Sequence, residues 1–259
     1  MKRKIILIGW GCLGLLLPCY GAKTSGHYVS HTLEKLPAFH ALQVEGKVEV
    51  DFTQQASPAV HISGSEQMVA QALVRVKEGK LEIEFFPQGL LSSSNELRVT
   101  VAAPSLAEVI VSGESDVRLR GPLQGNRLEL TITGEGVFSA DGISVPLVFI
   151  HTDGQAEVDI NRLEAQQIHA KALGRSDIEL SGLALSAELE NHGSGKIDAE
   201  DLRVQHGSAT VYGKGDIEIS AYEALSAAAL GKGRIKYKGA PVSLQRSGYT
   251  QRIVPDRED

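Results

Sequence analysis

The chain is poor in the residues that staple, anchor or stack. Its 259 residues include two cysteines, Cys12 and Cys19, both before position 20. Past that point, the fold must hold by burial and backbone pairing alone. Aromatic residues make up 5% of the chain, and the single tryptophan is Trp10. That leaves thin material for sugar-stacking platforms or large hydrophobic pockets. The leading apolar run, positions 5–17, has 13 residues, short of the roughly 20 that span a bilayer. Basic residues number 26 against 32 acidic ones, for a formal charge of −6. Such a balance argues against strong non-specific attraction to nucleic acid or anionic lipid.

The start of the chain has the layout of an export signal. Lys2, Arg3 and Lys4 precede the apolar run, Pro18 breaks it, and the small residues Cys19 and Gly21 suit cleavage before Ala22. Residues 1–21 are therefore read as a signal peptide, ahead of lipidation at Cys19, which Pro18 disfavours, and of an uncleaved anchor. Cleavage removes both cysteines and takes the formal charge from −6 to −9. The expected location is the periplasm, the outer-membrane surface or the exterior, with no transmembrane segment in the mature chain. Residues 22–36 are polar and aperiodic, as in a flexible tether.

What the chain does have is a repeat. Gly113, Gly134, Gly154, Gly174, Gly193, Gly213 and Gly231 follow one another at gaps of 21, 20, 20, 19, 20 and 18 residues. A constant period near 20 means one unit stacked on itself. Counted from each glycine, position −4 holds Val109, Leu130, Ile150, Ala170, Leu189, Ala209 and Ala227. Position +4 holds Val117, Phe138, Val158, Ile178, Ile197, Ile217 and Ile235, and position +2 is always Gly, Ala or Ser. Even offsets are apolar or small and odd ones mostly polar, which is the alternation of strands. A further apolar residue follows each turn at Ile143, Leu163, Leu183, Leu202 and Tyr222. One such strand pair cannot bury its own apolar face, so the prediction is an all-β parallel β-solenoid with about 20 residues per rung. Glycine suits the bend through its backbone freedom.

Before the repeat, alternation marks strands around Gly46, at Val60 and Ile62, at Leu81 to Phe85 and at Leu97 to Val101. Ser65 can cap a short helix carrying Met68, Val69 and Leu73 on one face. The expected organisation is one solenoid domain over 37–240, irregular and capping over 37–106 and regular over 107–240. Residues 241–259 form a C-terminal cap or tail, and an irregular loop occupies 86–96.

The segments FHALQVEGKVEVDF, HISGSEQ, KLEIEF and LRVTVAAPSLAEVIVSGESDV, followed by the G-x-small-x-hydrophobic rungs, carry a resemblance. From Phe39 to Pro241 the chain resembles the bacterial envelope family described as an auto-transporter adhesin head domain of the GIN type. The resemblance implies a secreted or surface-exposed β-helical module and supplies no catalytic motif.

Candidate functional residues are acidic. Glu157, Asp159, Asp177, Glu179, Asp198, Asp216 and Glu218 occupy the outward +3 and +5 positions. Carboxylate columns suit Ca²⁺ binding, glycosidase chemistry or a solvated face. Lys196, Arg234 and Lys236 interrupt them, and no Ca²⁺-ligand loop follows the glycines, so the solvated or partner-binding face is preferred. His151, His169 and His192 fall on three different outward columns and do not converge. Thr152 and Asn191 stand at the apolar −2 position, where they need partners on a neighbouring rung. GSGK at 193–196 and GKGD at 213–216 resemble phosphate loops but lack the full spacing and precede strands.

No catalytic residues, metal ligands or cofactor are therefore assigned. Inter-glycine gaps of at most 21 residues leave no room for the long loops that build a substrate cleft. The expected function is a non-catalytic exported scaffold of adhesin type, binding an unidentified protein or glycan. A self-assembling envelope protein, hence a homo-oligomer, is the alternative, and a polysaccharide-acting β-helix enzyme ranks last.

Overall fold

The computed structural model describes residues 28–33, 35–87 and 97–256. The leader read over 1–21, and residues 88–96 of the irregular loop, lie outside the described residues.

Parallel, in-register pairing builds the body, a β-solenoid of about seven turns with about 20 residues per rung. Each turn runs up a first wall to its glycine, bends into a second wall over +3 to +6, and returns along a short third wall. The register is direct: Leu130 stands opposite Val109 and Ile150, and Phe138 opposite Val117 and Val158. From the third repeat glycine, Gly154, a single strand such as Glu157–Ala172 runs continuously from the second wall through the third into the next first wall.

Burial follows parity. Every residue at −4 and +4 is at most 2% exposed. With strands one spacing apart, these positions form unbroken apolar columns, so each rung completes the core of its neighbours. The third wall departs from the simple count. Ile143, Leu163 and Leu202 are buried, but Leu183 is 55% and Tyr222 39% exposed. The cause is a register shift at the corner, where Gly182 stands opposite both Leu163 and Leu202, and Ala221 opposite Val204. An odd number of residues fewer before the turn, one at Leu183 and three at Tyr222, moves the next side chain to the other face.

The glycine column is longer than the repeat suggests, because Gly46 pairs with Gly113 and begins it. Every glycine carbonyl from Gly46 to Gly213 accepts the N–H one residue past the next glycine, at 2.6–2.8 Å. Two physical reasons keep the column glycine. Gly154 has φ +117°, which a side chain opposes. Gly213 lacks a positive φ, but a Cβ there would land on the Gly193 carbonyl oxygen. The small +2 position has the same origin, since a Cβ on Gly195 would meet the Ser176 carbonyl.

The N-terminal block is not simply the first rungs in order. Its elements are β1 (Tyr28–Leu33), β2 (Ala41–Gly46), β3 (Val48–Gln54), β4 (Ala59–Ser65), α1 (Glu66–Gln71), β5 (Leu73–Lys77), β6 (Lys80–Phe85) and β7 (Leu97–Ala103). The first two repeat strands follow as β8 (Glu108–Gly113) and β9 (Asp116–Leu119). The rung β2–β3 lies between the later rungs β6–β7 and β8–β9 on both walls. The chain thus lays one rung, adds the next beneath it, then climbs over both. Gln54 clips this crossing, donating to the carbonyls of Pro104 and Gln124 and accepting from the Gln124 N–H at 2.8–2.9 Å.

Antiparallel strands flank the bottom rung. β4 pairs with β7, β1 with β4, and β5 with β6. Tyr28–Leu33, within the stretch expected as a tether, is therefore an edge strand. Ser65 caps α1 by accepting the Met68 N–H, and Met68 and Val69 are buried, while Leu73 lies past the helix in β5. At the far end, Ser243–Gly248 extends the first wall and Ile253–Pro255 the second.

Candidate functional site

The seven carboxylates lie on the outer face of the second wall, where alternation forces every odd offset out of the core. The fold brings them together as columns. Glu157 is opposite Asp177, Asp159 opposite Glu179, Glu179 opposite Asp198, and Asp198 opposite Glu218.

Pairing divides the face in two. At its C-terminal end Lys196 binds Asp198 at 2.6 Å and Glu218 at 2.9 Å, Lys236 binds Glu218 at 3.0 Å, and Arg234 binds Asp216 at 3.0 Å. Burial alone would raise the Glu218 carboxyl, but hydrogen bonds from Lys196 and Lys236 hold it below its ordinary value. Burial likewise opposes the charge on Lys196, and Asp198 and Glu218 override it and raise that ammonium above its usual range. The other four, Glu157, Asp159, Asp177 and Glu179, make no ion pair among the described residues. Asp177 accepts the Lys196 backbone N–H at 2.7 Å, and Asp159 the Asn161 amide at 3.0 Å. A solvent-facing patch of four unneutralised carboxylates therefore spans two adjacent rungs.

Asp198, Glu200 and Glu218 have ligand oxygens within 4.8 Å of one another. Lysines already neutralise this group, with Lys196 on two members and Lys238 on Glu200 at 3.2 Å. A divalent ion would have to displace those ammonium groups.

The histidines face outward from the first wall and do not converge, and His169 and His192 find different partners. His169 meets Glu188 at 2.9 Å and stacks on Phe149 with centroids 5.1 Å apart. His192 meets Glu190 at 3.0 Å and stacks on Tyr212 at 4.3 Å. Asn191 satisfies its amide as expected, reaching Gly195 and Asp216 carbonyls at 2.8 and 3.1 Å and accepting the Gly193 N–H. Thr152 does not: its hydroxyl is buried without a partner among the described residues.

Sequence reasoning missed a second charged cluster near the N-terminal end. Glu49, 8% exposed, takes Arg98 at 2.7 Å from one neighbouring rung and Arg118 from the other. It also missed an open groove of about 520 Å³ on the third wall, floored by Leu183, Leu185 and Tyr222, with Arg203 over the Tyr222 ring. The charged cluster had a signal in the outward columns; the groove had none, because it depends on the corner shift.

Comparison with known proteins places the architecture. A "putative adhesin" from Parabacteroides merdae has a TM-score of 0.79 at 21% identity, covering 91% of this chain and 99% of that one. A "putative lipid binding protein" from Parabacteroides distasonis scores 0.78 at 19% identity, with coverages of 90% and 98%. A "putative adhesin" from Bacteroides fragilis scores 0.64 at 24% identity, with coverages of 91% and 98%. At these identities the likeness shows the fold. No curated protein matches the sequence. The family model described as "putative auto-transporter adhesin, head GIN domain" matches residues 38–241, and with the stacked rungs that span this stretch, the chain belongs to that family.

Proposed function

We propose that the protein is an exported, non-catalytic binding scaffold of adhesin type, and that the outer face of its second wall meets the partner. The observation that carries this reading is the unneutralised set Glu157, Asp159, Asp177 and Glu179, presented on a flat sheet. Rungs of nearly constant length support it, because they present walls instead of a cleft. Groups on a sheet are held at fixed spacing by their backbones, which suits repeated contacts to an extended partner. The partner is a protein or glycan carrying cationic groups.

The test is a panel of glycans and envelope proteins offered to the immobilised protein, with binding and product release both measured. Binding without turnover, reduced when Asp177 and Glu179 are changed to lysine, is the expected result. Product release that disappears in Asp177→Asn would overturn the reading.

A further inference from the structure

The corner of the solenoid, where the two long walls meet at the glycines, changes character along its length. Position −1 holds Ser112, Thr133 and Asp153 in the first three turns, then Leu173, His192, Tyr212 and Leu230. Tyr249 continues that column, since its N–H bonds to the Ala229 carbonyl as the Leu230 N–H bonds to Val211. Position +1 runs Glu114, Glu135 and Gln155, then Arg175, Ser194, Lys214 and Lys232. Backbone hydrogen bonds link each +1 residue to the glycine of the preceding rung, and each −1 residue from Leu173 onward to that rung's −2 carbonyl, so both columns are continuous.

The later half is therefore an exposed apolar stripe beside a basic one. Tyr212, Leu230 and Tyr249 are 47%, 50% and 54% exposed. Arg175, Lys214 and Lys232 are exposed and make no ion pair among the described residues. Arg252 adds a further cation over the Tyr249 ring. Folding does not call for this pattern, because polar and acidic residues fill the equivalent positions of the earlier turns.

We propose that this corner is a docking edge for an anionic phospholipid surface. Tyrosine and leucine beside lysine and arginine match an interface that offers acyl surface and phosphate within a few ångströms. A second copy is the competing occupant, its acidic half set against this basic half. Antiparallel contact of that kind would press Tyr212 and Leu230 onto Ser112 and Thr133, polar groups that gain nothing from it. The negative charge of the whole chain does not prevent local attraction. The Debye length is about 8 Å at physiological salt, so carboxylates farther than that around the wall are screened. The docking edge adjoins the acidic face, with Asp177 two residues from Arg175 and Asp216 two from Lys214, but it stands or falls independently of the scaffold reading.

Flotation tests it, with the chain from Ala22 onward, which contains every described element, and phosphatidylcholine vesicles with or without phosphatidylglycerol. The protein should float with the anionic vesicles only, and less as salt rises. Each cation near such a surface is worth about fivefold in affinity, so Lys214→Glu/Lys232→Glu should weaken binding about twentyfold or more. Tyr212→Ser/Leu230→Ser should weaken it too, and Ser112→Glu, three rungs before Arg175 in the early turns and about 14 Å from that rung, should leave it unchanged. Equal binding to both vesicle types, or full binding by the Lys214→Glu/Lys232→Glu variant, would overturn the proposal. A dimer that this variant dissociates, or retention on an acidic polysaccharide without vesicle binding, would equally overturn it.

Discussion

The Asn191 amide occupies the space that a Cβ on Gly215 would need: an added Cβ would lie 2.6 Å from Asn191 Nδ2. The two residues belong to successive turns, so a side chain in one rung depends on the absence of one in the next. Asn191 also closes its own turn through Gly193 and Gly195 and reaches the following rung through the Asp216 carbonyl. Asn191→Ala leaves the Gly195 carbonyl and the Gly193 N–H without this partner, while the Asp216 carbonyl keeps the Ile197 N–H, and should cost about 1–3 kcal/mol, measured by urea unfolding. It should not rescue Gly215→Ala, because the Gly195 carbonyl also blocks that Cβ.

Thr152 presents the opposite case. Its buried hydroxyl lacks a partner among the described residues, in a column where Asn191 is the other polar member and Val111, Ile132, Ala172, Val211 and Ala229 are apolar. Thr152→Val keeps the shape and removes the unpaired group, so it should stabilise by about 1 kcal/mol. An unchanged or lower urea midpoint would show that the hydroxyl is satisfied.

Glu49 couples stability to pH. Burial pushes its carboxyl upward, and the hydrogen bonds and charges of Arg98 and Arg118 outweigh burial and hold it below the ordinary 4.5. A carboxyl lowered by folding stabilises above its unfolded value, and that contribution fades as pH falls through the lower folded value. Glu49→Gln should therefore cost about 1–3 kcal/mol at pH 7, and the gap from wild type should narrow below pH 4.5. A gap that stays constant with pH would remove the ion pairs from the account.

The corner shift can be checked by contrast. Leu163→Ala empties a buried position and should cost about 2–5 kcal/mol. Leu183→Lys, one turn later at the same count from its glycine, should stay within about 0.5 kcal/mol of wild type. Similar losses for the two would restore the uniform count.

Those two leucines also mark how far the sequence can be read. Walls and core columns were legible because alternation and a glycine every 20 residues or so are local signals that each turn repeats. The exposure of Leu183 and Tyr222 was not legible because a corner can absorb a few residues more or fewer while the apolar count continues unchanged. The lodging of β2–β3 between two later rungs was invisible for a different reason. Val44, Ile83 and Val111 satisfy the same alternation whichever strand lies beside them, and Gly46 is too far from Gly113 for the period to include it. Tyr28–Leu33 is polar enough to pass for a tether, as an edge strand bonded on one side can be. In the candidate site, parity located the seven carboxylates, but only the side-chain geometry separates the three paired with lysine or arginine from the open four.

All of these statements rest on stacking in register, which makes residues about 20 apart in sequence immediate neighbours. The chain from Ala22 onward has no cysteine, so pyrene can be attached at chosen pairs. Glu157→Cys/Asp177→Cys places two labels on facing residues of adjacent rungs, and Glu157→Cys/Asp216→Cys places them three rungs apart, about 14 Å along the stack. The account predicts strong excimer emission from the first pair and little from the second; absent emission from the first, or equal emission from both, would contradict it.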